Sequence, residues 1–162
     1  MSEIIKVGMA EVKPCVSPDR ITTLGLGSCV GIALRDPVTG VGGLAHIMLP
    51  DSTALRNAGN NMAKFADTGI DLLIGQMEAL GARRTRLEAK IAGGATMFNF
   101  KSDSDCMNVG ARNVAAVRKK LDELKIPILA ADTGENFGRT VIFEPQTGAY
   151  IIKAVGKTEK TI

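Results

Sequence analysis

Tryptophan is absent from these 162 residues, and aromatic side chains make up only 4%. A core must therefore rest on Val, Ile, Leu, Ala and Met. Histidine occurs once, as His46, so chemistry that needs an imidazole has one place to go. Cysteine occurs three times, at the widely spaced positions Cys15, Cys29 and Cys106. An odd, scattered set argues against a disulfide framework and for a reducing, cytoplasmic setting. The same residues lack the paired spacing of metal ligands, so neither a metal nor a cofactor is expected. No apolar run approaches the ~18 residues of a membrane span. MSEIIKVGMA has no basic segment leading into an apolar stretch, so neither a secretory signal nor membrane insertion is expected. A formal charge of only +3 gives little attraction for nucleic acid. The short basic runs Arg83, Arg84, Arg86 and Arg118, Lys119, Lys120 are read as solvated helix ends and faces.

What is present is globular composition, 45% hydrophobic and 23% charged, at the length of one ordinary domain, read as 1–162. Ile4 to Met9 reads as a first strand, and Pro14 and Pro18 as an irregular connection. Leu26–Leu34 and Val41–Met48 are apolar, small-residue runs joined by Arg35-Asp36-Pro37-Val38-Thr39-Gly40, whose Asp-Pro and Gly favour a hairpin turn. Met62, Phe65, Ala66, Ile70, Leu73, Met77 and Leu80 recur at helical spacing, and Gly81 supplies a stop. Val109, Asn113, Val114, Val117, Leu121 and Leu124 mark a second helix ending before Pro127. Strands are expected at Leu87–Ile91, Ile128–Ala131, Thr140–Phe143 and Tyr150–Ala154, with a turn at Pro145–Gly148. Hairpins and helical crossovers together predict a mixed α+β fold within the α/β class. It takes the form of a sandwich of mostly antiparallel or mixed sheet with flanking helices, like a cysteine hydrolase.

His46 follows Cys29 by 17 positions, and the hairpin puts Cys29 on one strand roughly opposite residue 46 or 47 on the next. Facing residues of an antiparallel pair have Cβ atoms roughly 4.5–5.5 Å apart, a reach suited to a thiol and an imidazole. A thiol is the nucleophile that works with a single imidazole and no metal, because an adjacent imidazolium favours the thiolate. Gly25, Gly27 and Gly31 clear space for a backbone or substrate beside the sulfur. Gly93-Gly94-Ala95 is either a plain turn or a row of backbone N–H groups lining a site. Two plainer readings stand beside this one: Cys29 as a small buried hydrophobe, and His46 as a core imidazole satisfied by a carbonyl. Gly25-Leu26-Gly27-Ser28-Cys29-Val30-Gly31 is not a dinucleotide loop, since its third glycine is one position late and a strand follows. Asp51 and Ser52 read as a cap for the segment after them. Met97, Phe98 and Phe100 are either core or a docking surface.

Thr23-Leu24-Gly25-Leu26-Gly27-Ser28-Cys29-Val30, Ala45-His46-Ile47-Met48-Leu49-Pro50-Asp51-Ser52 and Lys64-Phe65-Ala66-Asp67-Thr68 together resemble the CheD family. So do Ala89-Lys90-Ile91-Ala92-Gly93-Gly94-Ala95, Gly110-Ala111-Arg112-Asn113 and Ala131-Asp132-Thr133-Gly134. One departure is Glu135, where the family pattern leads to a second glycine after Gly134. The resemblance implies deamidation of selected glutamines on methyl-accepting chemotaxis receptors, with release of ammonia. It implies Cys29 as nucleophile, His46 as general base and acid, and Thr23 as the polar residue beside the histidine. Ser28 and Gly27 are candidates near the oxyanion. A CheC-type response-regulator phosphatase is the implied second partner, with Phe98 and Phe100 as candidate docking residues. The alternatives are a non-catalytic adaptor between receptor and phosphatase, and a glutamyl methylesterase using the same triad.

Overall fold

The computed structural model describes residues 2–52, 61–96 and 108–162. Its first sheet orders β1 (Ile4–Val7), β3 (Arg20–Leu26), β8 (Arg139–Glu144), β9 (Ala149–Lys153) and β10 (Lys160–Thr161). Its second orders β2 (Glu11–Val16), β5 (Val41–Ile47), β4 (Val30–Asp36), β6 (Glu88–Gly93) and β7 (Ile128–Thr133). Helices α1 (Ala66–Glu78) and α2 (Val109–Glu123) and short 3-10 turns at Met62–Lys64 and Arg84–Arg86 complete the described elements. Pairing is antiparallel except for β1 with β3 and β6 with β7. The β6–β7 pair is bridged by α2, the crossover that parallel neighbours need. This is the expected mixed α+β sandwich with flanking helices.

Two apolar layers hold it together. Ile21, Leu26, Ala33, Leu44, Val141, Phe143 and Tyr150 fill the space between the sheets. Val30, Ile32, Leu34, Ala45 and Ile47 turn the other way and meet the helices. Along α1 the buried positions Ile70, Leu73, Ile74 and Met77 follow the helical period, and each such burial is favourable by roughly 1.5–3 kcal/mol. All seven residues of β5 are buried, because the strand is central in its sheet and covered on both faces. His46 is thereby placed in the middle of the molecule.

Local chemistry explains the boundaries. α1 ends in a Schellman motif, Gly81 N–H donating to Glu78 O and Ala82 N–H to Met77 O, with Gly81 at φ 106°. α2 ends the same way, but Lys125 takes the left-handed position at φ 58°. The residues read as an irregular connection around Pro14 form strand β2 instead. Its place at a sheet edge lets a proline go without a ladder donor on one side. The hairpin also differs in register: β4 continues through Asp36, so Gly31 rather than Cys29 faces His46. Leu26 belongs to β3, and Cys29 lies one residue before β4. The segment that Asp51 and Ser52 were expected to cap lies outside the described residues; the Ser52 hydroxyl donates to Asp67 Oδ2, in the first turn of α1, at 2.9 Å.

Asp36 anchors the hairpin end. Its buried carboxylate accepts from Arg86 Nη2 at 2.7 Å and from the Arg83 and Val38 amides at 2.9 Å each. These donors, the Arg86 guanidinium first, hold its pKa well below the usual carboxylate range. Asp36→Asn is expected to destabilise the fold by about 2–4 kcal/mol at pH 7 in urea titration. A carboxyl with a depressed folded pKa contributes fully above its unfolded pKa and loses that contribution as pH falls toward the folded one. The gap between variant and parent should therefore hold above about pH 4 and narrow below it. A gap unchanged down to pH 2 would show that the charge is not what holds this corner.

Candidate active site

Strand parity brings the three polar residues together. Cys29, Gly31 and Ala33 point to one face of their sheet, with Leu44 and His46 on the neighbouring strand, and that face looks onto the first sheet. Thr23 points inward from β3 on the opposite side of the gap, in register with Val7 and Val141. Cys29 lies two residues before Gly31, the register partner of His46, so it approaches the imidazole diagonally, a somewhat longer approach than the directly facing pair expected. Diagonal Cα atoms lie roughly 7–8 Å apart and side chains narrow that gap. Position 31, directly opposite His46, has no room for a side chain. A Cβ there would come within 2.7 Å of the Tyr150 hydroxyl, which donates to Gly31 O at 3.0 Å. Gly31 thus makes room for Tyr150, not for a substrate.

The hydrogen bonds define the histidine's tautomer. Thr23 Oγ1 donates its only proton to Val7 O at 2.8 Å. At its 2.7 Å contact with His46 Nδ1 it must therefore accept, which puts the ring proton on Nδ1. Nε2 is left as a bare lone pair, buried and unpartnered among the described residues. A base needs that arrangement. Thr23 meets the histidine through its side chain.

Burial sets the charges. Desolvation lowers the His46 pKa to about 4, and it pushes the Cys29 thiol up, opposed by a hydrogen bond from its own backbone N–H. At neutral pH the resting pair is therefore thiol and neutral imidazole. The imidazolium expected from the sequence is absent because His46 is fully buried and, among the described residues, has no carboxylate hydrogen-bonded to its ring to stabilise the cation. Cys15 is also buried, its pKa raised to about 12 by desolvation and then by Asp19. It has no imidazole beside it and is inert. Cys106, Phe98 and Phe100 lie outside the described residues.

The loop carrying the thiol is held by backbone. Gly94 N–H donates to Cys29 O at 2.8 Å and Ala95 N–H to Gly27 O at 2.9 Å. Gly93, at φ 108°, has no space for a Cβ against the Cys29 carbonyl oxygen. Gly93-Gly94-Ala95 is thus a brace for the loop that carries Cys29, with the amides of Gly94 and Ala95 spent on it. The Gly27 amide donates to Gly25 O at 3.1 Å, so Gly27 is removed as an oxyanion donor. Glu135, where a glycine was expected, sits at φ 64°, which explains the glycine preference there in backbone terms. A hollow of about 300 Å³ beside Thr23, rimmed by the exposed Met9 and Leu24, is lined by neither Cys29 nor His46. A larger one, about 540 Å³, lies along α2 among Arg112, Lys119 and Asp67 and touches none of the three residues.

Sequence reasoning gave Asn113 no role beyond a helix position and a place in the Gly110-Ala111-Arg112-Asn113 segment. The side chain is fully buried, donating from Nδ2 to Ser28 O at 2.9 Å and to Met48 O at 3.0 Å. A polar residue on the apolar face of a helix was the available signal. Arg139, also buried, donates to Asp132 Oδ2 at 3.0 Å and to Gly134 O at 3.1 Å, tying β8 to the end of β7.

Residues 48–154 match the family model described as CheD chemotactic sensory transduction. The chain is 58% identical to the probable chemoreceptor glutamine deamidase CheD of Lachnoclostridium phytofermentans, over all 162 residues and the whole of both chains. It is 52% identical, again over the whole of both chains, to the chemoreceptor glutamine deamidase CheD of Halalkalibacterium halodurans. Among solved structures, the Bacillus licheniformis hypothetical protein YfiH matches with a TM-score of 0.42 at 15% identity, covering 70% of this chain and 46% of that one.

The depressed His46 pKa makes a stability prediction. Between about pH 6.5 and about pH 4 the unfolded chain binds a proton on this histidine and the folded one does not. Its contribution is fully present above about 6.5 and is lost as pH falls toward 4, by at most about 3 kcal/mol. The melting temperature of the parent should therefore fall faster over that window than that of His46→Gln. Parallel melting curves for the two proteins across the window would contradict the buried neutral imidazole.

Proposed function

The chain belongs to the CheD family, and from that premise we infer that it is a chemoreceptor glutamine deamidase with Cys29 as nucleophile, His46 as base and acid, and Thr23 holding the histidine. The observation that carries the site assignment is the Thr23–His46 hydrogen bond, which leaves Nε2 unpartnered on the face that also carries Cys29.

The reaction follows from those atoms. His46 Nε2 takes the Cys29 proton as the sulfur attacks the carboxamide carbon of a receptor glutamine, so charge appears only once substrate is in place. The Cys29 amide, with that of Ser28 beside it, is the donor for the developing oxyanion. His46 then passes its proton to the departing ammonia, leaving a thioester. Water, deprotonated by the neutral imidazole, hydrolyses the thioester to glutamate and regenerates the thiol. Each turnover adds one negative charge to a receptor.

The setting is cytoplasmic, among receptor cytoplasmic domains; no helix among the described residues is long and apolar enough to cross a membrane. The second partner is a CheC-type phosphatase, which this protein binds and stimulates. A purely adaptor role gives no reason to bury a base without a partner in the middle of the fold. Methyl-ester hydrolysis by the same residues is distinguished by its product, methanol instead of ammonia.

Cys29→Ala is expected to abolish ammonia release from a receptor cytoplasmic fragment while keeping the melting transition, whereas Cys15→Ala and Cys106→Ala retain near-parent rates. Substantial activity in Cys29→Ala would remove this thiol from the mechanism. Thr23→Val keeps the shape but removes the acceptor for His46 Nδ1–H, freeing the ring to take the other tautomer. Its kcat should drop by about 10–100-fold with KM little changed. A parental kcat in that variant would mean that packing alone orients the imidazole.

A further inference from the structure

Asn113 reaches both halves of the site from behind. It projects from α2, whose Val117 and Leu121 pack on the face of the second sheet opposite to Cys29 and His46. Its two Nδ2 protons go to two carbonyls far apart in sequence: Ser28, just before the nucleophile, and Met48, two residues after the base. Of the two ends of the carboxamide only the NH2 can donate to carbonyls, so the orientation of this side chain is fixed by its partners. Its Oδ1 is buried with no partner among the described residues. An unpaired buried acceptor costs stability that a Leu at this position would not lose. The helix is brought close enough by Gly110, one turn earlier, where a Cβ would collide with the carbonyl oxygens of Gly94 and Ala95.

Peptide geometry turns this anchor into a statement about catalysis. Ser28 C=O and Cys29 N–H belong to one planar peptide unit, which is trans, so they point in opposite directions. Holding the carbonyl on Asn113, toward α2, fixes the Cys29 N–H away from the helix, toward the side on which the thiol lies. That N–H is the donor assigned above to the oxyanion, and it already faces the sulfur of its own residue. The second bond, to Met48 O, holds the end of β5 just beyond His46 in the same frame. We propose that Asn113 is the positioning residue of this active site: it orients the Cys29 amide toward the oxyanion and keeps the nucleophile loop in register with the strand that carries the base.

This inference rests on Cys29 being the nucleophile, and its test separates the two. Asn113→Ser, which can still donate to one carbonyl, and Asn113→Leu, of similar volume with no donor, are compared in the full chain. Three quantities are read: ammonia release from a receptor cytoplasmic fragment, thermal melting, and the rate at which iodoacetamide alkylates Cys29 at pH 10, followed on the Cys29 peptide by mass spectrometry. Alkylation needs a thiolate but forms no oxyanion, so it reports on the sulfur alone. Loss of one oxyanion donor typically costs 10²–10³ in kcat. Asn113→Leu should lower kcat by at least about 30-fold with KM and alkylation within about threefold of the parent, and Asn113→Ser should fall between. The proposal is overturned if kcat stays within about threefold in a folded variant, or if the loss appears in KM instead. It is equally overturned if both variants lose their melting transition, or if activity and alkylation fall together, since the side chain is then merely structural. An active Cys29→Ala control would instead sink the assignment of the nucleophile.

Discussion

The Thr23 hydroxyl has one proton, and giving it to Val7 O obliges it to accept from His46 Nδ1. That single constraint organises the site. Val7 and Thr23 are register partners in the parallel β1–β3 pair, so the acceptor is supplied by the same sheet that supplies the hydroxyl. The imidazole comes from the other sheet, across the inter-sheet core. A buried polar contact between two sheets is tolerable only when its donors and acceptors are matched, and here the direction of each bond follows from the first. The bare Nε2 is the residue of that accounting. It is the one imidazole atom the fold leaves for chemistry.

Around this bond the backbone makes close approaches that side chains would block. Gly31 yields to the Tyr150 hydroxyl, Gly93 to the Cys29 carbonyl, and Gly110 to the carbonyls of Gly94 and Ala95. The three contacts lie on successive layers, so the first sheet, the nucleophile loop and α2 are stacked without slack. A packed interior transmits small displacements, and Cys29 seated in such a stack has little freedom to drift from the face that carries His46. The arrangement also explains why strand β5 shows no alternation of burial: its inward-facing His46 and its helix-facing Ala45 and Ile47 are equally enclosed.

Much of this was legible in the amino-acid order. The lone histidine and the small-residue run around Cys29 indicated the chemistry, and the Asp-Pro and Gly signals placed the hairpin. Periodicity located both helices to within a few residues at their N-terminal ends, and Gly81 marked a true stop. Register was not legible, because turn residues fix where a hairpin reverses only to within a residue or so. One position decides whether Cys29 faces His46 or lies diagonal to it. Strand β2 was hidden by Pro14, whose meaning depends on lying at an edge, a property of the assembled sheet. Asn113 was hidden for a related reason: its partners are carbonyls, which carry no side-chain signature. The protonation states escaped as well, since desolvation depends on what covers a group, and sequence spacing says nothing of cover.

The resting charge state has a consequence for selectivity. A preformed thiolate–imidazolium pair reacts with any accessible electrophile, whereas a buried thiol beside a neutral imidazole is nearly inert until something lowers the energy of the charged pair. A carboxamide carbon approached by the sulfur does so, because negative charge moves from sulfur to an oxygen facing a backbone N–H while His46 takes the proton. Stabilisation then belongs to the transition state more than to the free enzyme, the condition under which binding interactions raise turnover. The same low polarity that depresses the His46 pKa strengthens the oxyanion hydrogen bond once water is excluded. A receptor glutamine that seals the cleft therefore supplies part of its own activation, and a free amide that leaves the cleft wet does not. On the proposed mechanism, discrimination between a glutamine on a docked protein surface and free glutamine follows from burial of the reacting pair.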